Sequence, residues 1–419
     1  MDKKTQKNAL QDGFNHSLRD PLWDDIRIDN RIKGIISTRA FQNLSGVRQN
    51  GPTCNIYPGA VHTRLNHSLG VYNIGRKILI SLLENDDCPF TVIGERSFLA
   101  ACLLHDIGHF PYAHSLKELA MKTHEELAGE IIERDEELKQ AIIDAGADPL
   151  MVKAIIDETL PAGEETEIYR GILSGAIDPD KLDYLNRDAF FCGVPYGSQN
   201  TSYIVNALHL VDGKIAIERE AYTSIENMLF SKYMMYRSVY WHKGVRSATC
   251  MIKKALLSAM RDGVIKVEDL YFLDDAAFNQ LAEMEYEPFA LIKDVKENRL
   301  LTRVWEKDYK ESGELEKAAK EIYSRFEAER ELFLILKRKY SDLLEYQIVI
   351  DIPEPISFEA NIDILNDDGT TESFSNVTKL FNKDVVKQFS ASLRNIAIFA
   401  PSYINRADME KAIKEWKKR

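Results

Sequence analysis

The sequence lacks the features of several specialised protein classes. It contains five scattered cysteines and no Cys-X-X-Cys pair, which argues against a disulfide framework or a zinc knuckle and favours a reducing compartment. No apolar run approaches the roughly 20 residues that a membrane helix needs, and the polar N-terminus shows no signal-peptide core. We therefore expect a cytoplasmic protein without a membrane partner.

Positive charge is also scarce. The 54 Lys and Arg residues are outnumbered by 66 Asp and Glu residues, which gives a net charge of −12. Proteins that coat nucleic acid are usually basic, so nucleic acid is disfavoured as a partner. An anionic small molecule stays open as a substrate, because it needs only a local cluster of Lys and Arg inside a cleft.

Histidines, in contrast, are concentrated in one part of the chain. Six of the nine lie between residues 62 and 124, namely His62, His67, His105, His109, His114 and His124. A lone histidine on a helix is usually structural, and we interpret His62 and His209 in that way.

His105 and Asp106 end an apolar run, where a carboxylate is costly to bury unless it is paired or binds a metal. His67 begins one predicted helix, and the His105-Asp106 pair ends the next. Together with a distant Asp180, these side chains are the candidate ligands of a metal, since imidazole and carboxylate suit Zn, Fe, Mn or Ni. Asp178 and Asp183 could instead cap the helix that begins near Pro179.

The hydrophobic pattern predicts a mainly α fold. Helical periodicity or capping signals predict helices over residues 67–84, 95–106, 123–139, 178–191, 219–262 and 313–342. Alternating runs around Asp212-Gly213 and Asp368-Gly369 predict two hairpins, and further strands are predicted at 347–352 and 396–399, before a basic helix at 407–418. We predict a helical domain over residues 1–340 and a small α+β subdomain over 341–419.

Three blocks of the sequence resemble the HD-domain phosphohydrolases, a family named for its His-Asp pair. They are residues 64–70, 104–109 and 178–184, and similar motifs extend over residues 39–243. The resemblance is closer to the deoxynucleoside triphosphate (dNTP) triphosphohydrolase branch, in which dNTP is cleaved to deoxynucleoside and triphosphate. It implies an HD-type helical bundle in the first domain. We expect no SAM domain, because the motifs begin near the N-terminus.

The resemblance also implies roles for individual residues. One divalent transition metal (Fe, Mn, Ni or Zn) would be held by His67, His105, Asp106 and Asp180, and Mg²⁺ could accompany the substrate phosphates. The catalytic side would consist of His109, His114, His124 and Glu125. The substrate would be bound by Arg64 and Lys181 at the phosphates, Tyr184 and Asp188 at the sugar, and Tyr240 in packing. Asp180, Tyr184 and Asp188 are spaced by four residues and so share a helix face.

Four residues depart from the family pattern: Asn66, Lys117, Tyr236 and Trp241. None of them is a predicted metal ligand, but together they leave the identity of the substrate open. We therefore predict a metal-dependent phosphohydrolase acting on nucleotides, with dNTP triphosphohydrolase as the first hypothesis. The alternatives are an HD phosphatase or phosphodiesterase with another phosphoester, and a non-catalytic nucleotide-binding protein. Because family members are commonly dimers or tetramers, we expect a homo-oligomer.

Overall fold

Helices dominate the fold, and its few strands are short, so the predicted mainly α class is confirmed. The computed structural model describes residues 10–11, 13–85, 88–116, 121–358 and 361–418. None of the helices in these ranges combines the length and the apolar character that a bilayer span requires.

The described chain starts with an antiparallel hairpin of β1 (His16–Asp20) and β2 (Asp24–Ile28). Two short helices follow it, α1 (Asn30–Ser37) and α2 (Arg39–Gln42). Ile26, Ile28 and Ile32 are fully or almost fully buried, so the hairpin and α1 belong to the main core.

The central part of the chain is helical. Its helices are α3 (Arg64–Asn85), α4 (Val92–Leu104), α5 (His124–Arg134), α6 (Glu136–Asp144), α7 (Pro149–Ile156), α8 (Glu164–Leu173), α9 (Pro179–Cys192) and α10 (Thr201–Asn206). The long α3 packs against both α4 and α9. Helix α4 is buried from Gly94 to Leu104, which explains why its sequence is apolar without a polar face.

Side-chain caps determine where several of these helices begin. Thr123 forms the predicted capping box with Glu126, and Asp178 accepts a hydrogen bond from the Lys181 backbone N–H at the start of α9. The helix predicted over 123–139 is divided, however. Asp135 adopts an extended backbone and caps a new helix, α6, through the Leu138 N–H. The amphipathic pattern continues across Asp135, and for this reason the sequence prediction missed the end of the first helix there.

Helices α3 and α9 approach each other closely at Gly70. A Cβ atom at this position would lie 1.8 Å from Oδ1 of Asp183 and 2.7 Å from Nη2 of Arg187. Because no side chain fits there, glycine is required for the crossing. This crossing brings the first turn of α3 next to the first turn of α9.

The single helix predicted over residues 219–262 is wrong. The chain instead forms α11 (Tyr222–Met235), a π-helix (Tyr236–Tyr240) and α12 (Lys243–Arg261). The break comes at Trp241, after which the His242 ring caps α12 by accepting from the Gly244 N–H. The π turn carries both Tyr236 and Tyr240, and such turns are frequent at functional sites.

The remaining helices are short or peripheral. They are α13 (Asp275–Leu281), α14 (Ala290–Lys296), α15 (Glu314–Ala318), α16 (Ile322–Lys337), α17 (Phe374–Val377), α18 (Lys383–Leu393) and α19 (Arg406–Trp416). The helix predicted over 313–342 is thus divided into α15 and α16, whereas the C-terminal helix is close to its predicted bounds.

Seven strands form two small sheets in this half of the chain. They are β3 (Leu208–Val211), β4 (Lys214–Glu218), β5 (Thr302–Asp308), β6 (Val349–Asp351), β7 (Asp363–Leu365), β8 (Thr371–Ser373) and β9 (Asn395–Ala400). One sheet has the order β3-β4-β7-β8 and the other β5-β9-β6. Both predicted hairpins are present. The β4–β7 and β5–β9 pairs join strands from either side of residue 340, and the domain division there stays a prediction.

A buried ion pair joins α12 to α16. The Lys254 ammonium contacts the Glu329 carboxylate, and their side chains are only 7% and 3% exposed. Glu329 also accepts a hydrogen bond of 2.8 Å from the backbone N–H of Ile350 in β6. A single carboxylate therefore links two helices and a strand.

We expect Glu329→Ala to lower the free energy of unfolding by about 3–5 kcal/mol, because it leaves the Lys254 charge buried without a partner. Urea denaturation measures the change. The matched control is Glu410→Ala, which removes an exposed partner of Arg406 and should cost less than about 0.5 kcal/mol. Equal effects of the two substitutions would contradict this assignment.

Candidate metal centre and active site

Three helix ends converge on one group of side chains. His67 lies in the first turn of α3, His105 directly follows α4, and Asp180 lies in the first turn of α9. Because α3 packs against both other helices, residues that are more than 100 positions apart in sequence become neighbours. Asp106, next to His105, completes the group.

Each of the two imidazoles lies within 4.0 Å of both carboxylates. His67 Nε2 lies 2.9 Å from Asp180 Oδ1 and 3.8 Å from Asp106 Oδ2. His105 Nε2 lies 3.6 Å from Asp106 Oδ1 and 4.0 Å from Asp180 Oδ1. The Asp180 side chain is 39% exposed, whereas that of His67 is 1% exposed. The group is therefore buried on one side and accessible at Asp180.

The donor set fits a divalent transition metal. His105 Nδ1 is 3.0 Å from the Cys102 carbonyl oxygen, so Nδ1 carries the proton and the lone pair of Nε2 is directed away from α4. That Nε2 is buried and has no hydrogen-bond partner. An unpartnered imidazole nitrogen beside two carboxylates and a second imidazole is the arrangement expected of a metal site with its ligands already oriented.

Neighbouring charges and hydrogen bonds keep Asp106 ionised and His67 protonated. Burial opposes ionisation of Asp106, but the Arg64 guanidinium, 2.6 Å away, and the nearby histidines hold the pKa of this carboxyl well below its usual range. Burial likewise lowers the pKa of His67, but hydrogen bonds with Asp180 and Asp183 outweigh it and raise that pKa to about 10.

Two further histidines lie on another side of Asp106. His109 Nε2 is 3.8 Å from Asp106 Oδ1, and the His109 and His124 rings contact edge to face with centroids 3.9 Å apart. Glu125 Oε1 is 3.1 Å from His124 Nε2. Burial lowers the pKa of His124, so its imidazole is mainly neutral at pH 7. The side chain of His114 and the whole of Lys117 lie outside the described residues.

A cavity with two lysines lies beside α9, near the residue that follows Asp180 in sequence. Its volume is about 310 Å³, and Lys181 and Lys232 are among the residues that line it. Lys181 donates to the Gly175 carbonyl and contacts Asp178, while Lys232 donates to the Ser357 carbonyl. Arg64, predicted to contact phosphate, is buried and bound to Asp106, although its Nε has no hydrogen-bond partner.

The residues predicted to read the sugar form a second group, next to the π-helix. Asp188 accepts a hydrogen bond of 2.5 Å from the Tyr240 hydroxyl, and its other oxygen is 2.7 Å from His62 Nε2. The Tyr236 ring packs edge to face on both Tyr240 and Trp241. Burial raises the pKa of Tyr184 well above its usual range, so its hydroxyl stays protonated.

The sequence interpretation missed three residues of this region. His62, interpreted as structural, orients Asp188. Asp183 does not cap a helix but pairs with His67 Nδ1 at 2.8 Å, and its spacing of four from Arg187 was a usable signal of an ion pair. Lys232 shares the cavity with Lys181, and its spacing of four from Tyr236 places both on one helix face.

Comparison with protein families agrees with this geometry. The sequence profile of the HD domain matches residues 64–187, which include all four candidate ligands, and that of the HD associated region matches residues 200–416. The chain belongs to the HD phosphohydrolase family. The associated region covers half of the chain and crosses the predicted domain boundary at residue 340.

Relatives of this HD protein occur in distant organisms. An uncharacterized protein of Methanocaldococcus jannaschii is 28% identical over 92% of this chain and 79% of its own length. A protein of Bacillus subtilis is 34% identical over 57% of this chain and 54% of its own. The human deoxynucleoside triphosphate triphosphohydrolase SAMHD1 is 28% identical over 58% of this chain and 44% of its own. The chain thus matches about half the length of the last two.

Two solved structures share the fold of this HD protein. A phosphohydrolase of Bacteroides thetaiotaomicron superposes with a TM-score of 0.74 at 23% identity and covers 92% of this chain. The match also covers 100% of that chain. A hypothetical protein of Aquifex aeolicus gives a TM-score of 0.69 at 25% identity over 96% of this chain and 99% of its own. The similarity therefore includes both the HD domain and its associated region.

We expect metal binding to release a proton at neutral pH. The pKa of His67 without metal is about 10, so its imidazole is protonated at pH 7 and must lose that proton to offer a lone pair. The apparent affinity for Mn²⁺ should therefore rise about tenfold per pH unit between pH 6 and 8. Titration calorimetry of the metal-stripped protein in two buffers of different ionisation enthalpy measures the released proton. Heats that are independent of the buffer would refute it.

Proposed function

We propose that this chain is a metal-dependent dNTP triphosphohydrolase, which splits dNTP into deoxynucleoside and inorganic triphosphate. One observation carries the proposal: the candidate ligand group adjoins a histidine pair at Asp106 and, through the consecutive residues Asp180 and Lys181, a cavity lined by two lysines. A structural metal site would need only the four donors. The additional histidines and lysines suit an anionic, hydrolysable substrate.

In this proposal, His67, His105, Asp106 and Asp180 hold one divalent transition metal, of the group Fe, Mn, Ni and Zn. When bound, such an ion lowers the pKa of water and offsets negative charge on a phosphate group. The protein prepares the site in advance, since Arg64 holds Asp106 ionised and Cys102 holds the His105 ring in one orientation. Mg²⁺ could accompany the remaining phosphates of the substrate.

The histidine pair supplies acid–base chemistry. Hydrolysis at the α-phosphorus adds a hydroxyl group from water and transfers a proton to the departing 5′ oxygen of the deoxynucleoside. His124 is mainly neutral in the free protein. The negative charge of bound phosphates raises its pKa, so substrate binding favours the protonated imidazole that can act as the acid. His109, in contact with the His124 ring, and Glu125 keep this imidazole in place. His114 is proposed for the same side from the family motif alone.

Phosphate and sugar would bind on opposite sides of the metal ligands. Lys181 and Lys232 offer ammonium groups to the phosphate tail, and the free Nε of Arg64 could donate to a phosphate oxygen. Tyr184, Asp188 and Tyr240 would contact the sugar, with Asp188 held by His62. We also propose that the protein forms a homo-oligomer, a dimer or a tetramer, as members of the family commonly do.

A second candidate is an HD phosphatase or phosphodiesterase with another phosphoester substrate. It is favoured by the contacts of Asp188, because both of its oxygens are already bound by His62 and Tyr240. The ring of Tyr236 also packs on Tyr240, the residue that donates to Asp188, and on Trp241. The two candidates differ in their products, triphosphate in the first case and phosphate or a monophosphate in the second.

We expect the purified protein, with its metal retained, to release triphosphate from a panel of dNTPs, NTPs and phosphomonoesters. His105→Ala deletes one of the candidate ligands. It should therefore abolish metal binding and lower kcat by more than about 100-fold. His209→Ala is the matched control and should keep full activity, because His209 pairs with Glu218 in the β3–β4 hairpin and is not one of the candidate site residues. Unchanged metal content in His105→Ala would refute the ligand assignment.

We expect the KM for dNTP to increase between pH 7 and pH 9. Burial and the nearby Lys181 lower the pKa of Lys232 to about 8, so its charge is present below that pH and is lost above it. Lys232→Arg keeps the charge at all these pH values and should abolish the increase. Steady-state kinetics of both proteins measures the effect, and the same pH dependence in each would exclude Lys232 from substrate binding.

A further inference from the structure

The N-terminal hairpin contacts Asp183, the residue that pairs with the candidate metal ligand His67. It precedes residues 64–187, which the HD domain profile matches, yet its turn contacts the interior of α9. The indole Nε1 of Trp23 donates a hydrogen bond of 2.5 Å to Asp183 Oδ1. Trp23 itself is only half-buried, so the contact with Asp183 is a directed polar interaction at the inner end of the ring.

Asp183 has no free position left for another donor. Oδ1 accepts from Trp23 and from Arg187 Nη2 at 3.0 Å, and Oδ2 accepts from Arg187 Nε at 2.8 Å. Oδ2 also lies 2.8 Å from Nδ1 of His67. Both Asp183 and Arg187 side chains are completely buried. With each oxygen bound twice, the carboxylate can occupy only one orientation, and it imposes this orientation on the His67 ring.

The hairpin also determines the position of Arg187. Asp20, at the end of β1, pairs with Arg187 Nη1 through Oδ2 at 2.9 Å. Its Oδ1 accepts the backbone N–H groups of Leu22 and Trp23, both at 2.9 Å, and so shapes the turn that presents the indole. One aspartate therefore aligns both donors that hold Asp183.

We infer that Trp23 and Asp20 are positioning residues for the metal ligand His67 and act on it through Asp183 and Arg187. A carboxylate on the far nitrogen of a ligand imidazole selects its tautomer and increases its basicity, and the loss of such support typically lowers metal affinity by 10–100-fold. The inference rests on the metal site of the proposed function, but it needs no particular substrate.

The decisive variant is Trp23→Phe, which keeps a smaller aromatic ring on the half-buried surface and removes the N–H donor. Asp20→Asn is a second variant, which retains an oxygen for the turn and removes the charge opposite Arg187. The matched control is Asp25→Asn in the same hairpin, because the Asp25 side chain is 47% exposed and pairs with the exposed Arg19, at 3.4 Å.

The measurement is Mn²⁺ binding to the metal-stripped full-length protein, by titration calorimetry and by electron paramagnetic resonance. We expect Trp23→Phe and Asp20→Asn each to raise the Kd for Mn²⁺ at least tenfold, with no change in the control. The increase in Tm that saturating Mn²⁺ produces should shrink in the same two variants. A role in folding alone would lower the Tm of the stripped protein and leave Kd unchanged.

An unchanged Kd in a folded Trp23→Phe protein overturns the inference for Trp23. If that variant does not fold, Asp20→Asn decides, and an unchanged Kd there overturns the inference as a whole. Wild-type protein that binds Mn²⁺ but releases no triphosphate from dNTP would defeat the proposed function and leave this test intact. Wild-type protein that binds no Mn²⁺ would reject both.

Discussion

The ionised carboxylate of Asp183, buried between a histidine and an arginine, is the interaction on which the site depends. An unpaired charge in the interior costs several kcal/mol, so Asp183 has to be matched by Arg187 and His67. Matching requires α3 and α9 to cross closely, which Gly70 permits because it has no side chain. The crossing in turn brings His67 next to Asp180. Helix packing, charge pairing and ligand geometry are thus consequences of one constraint.

The region after residue 200 does not only pack against the HD domain but also supplies side chains next to the candidate site. Its π-helix directs Tyr240 onto Asp188, and its helix α11 supplies Lys232 to the cavity that Lys181 lines. The Ser357 carbonyl, from the segment between β6 and β7, holds the Lys232 ammonium. The HD domain and its associated region are therefore in direct contact both at Asp188 and at the cavity lined by Lys181 and Lys232.

Local sequence signals predicted the helices well and their interruptions poorly. The capping box at Thr123 and the cap at Asp178 lie where they were expected, because each depends on residues within one turn. The break at Trp241 was missed, since no proline lies between residues 219 and 262 to mark the end of a helix. Asp135 was likewise hidden within a polar face, where an aspartate is ordinary.

The sequence by itself determined the candidate ligands, because the His-Asp pair, His67 and Asp180 lie in short motifs whose residue types suit a metal. Only the tertiary structure decided what supports them. The pairs His62–Asp188, Trp23–Asp183 and Asp20–Arg187 join residues separated by 126, 160 and 167 positions. No local pattern encodes such contacts, since they exist only after the helices have packed and the buried charges have found partners. The same packing gave His62 and Asp183 roles that their neighbours in sequence do not reveal.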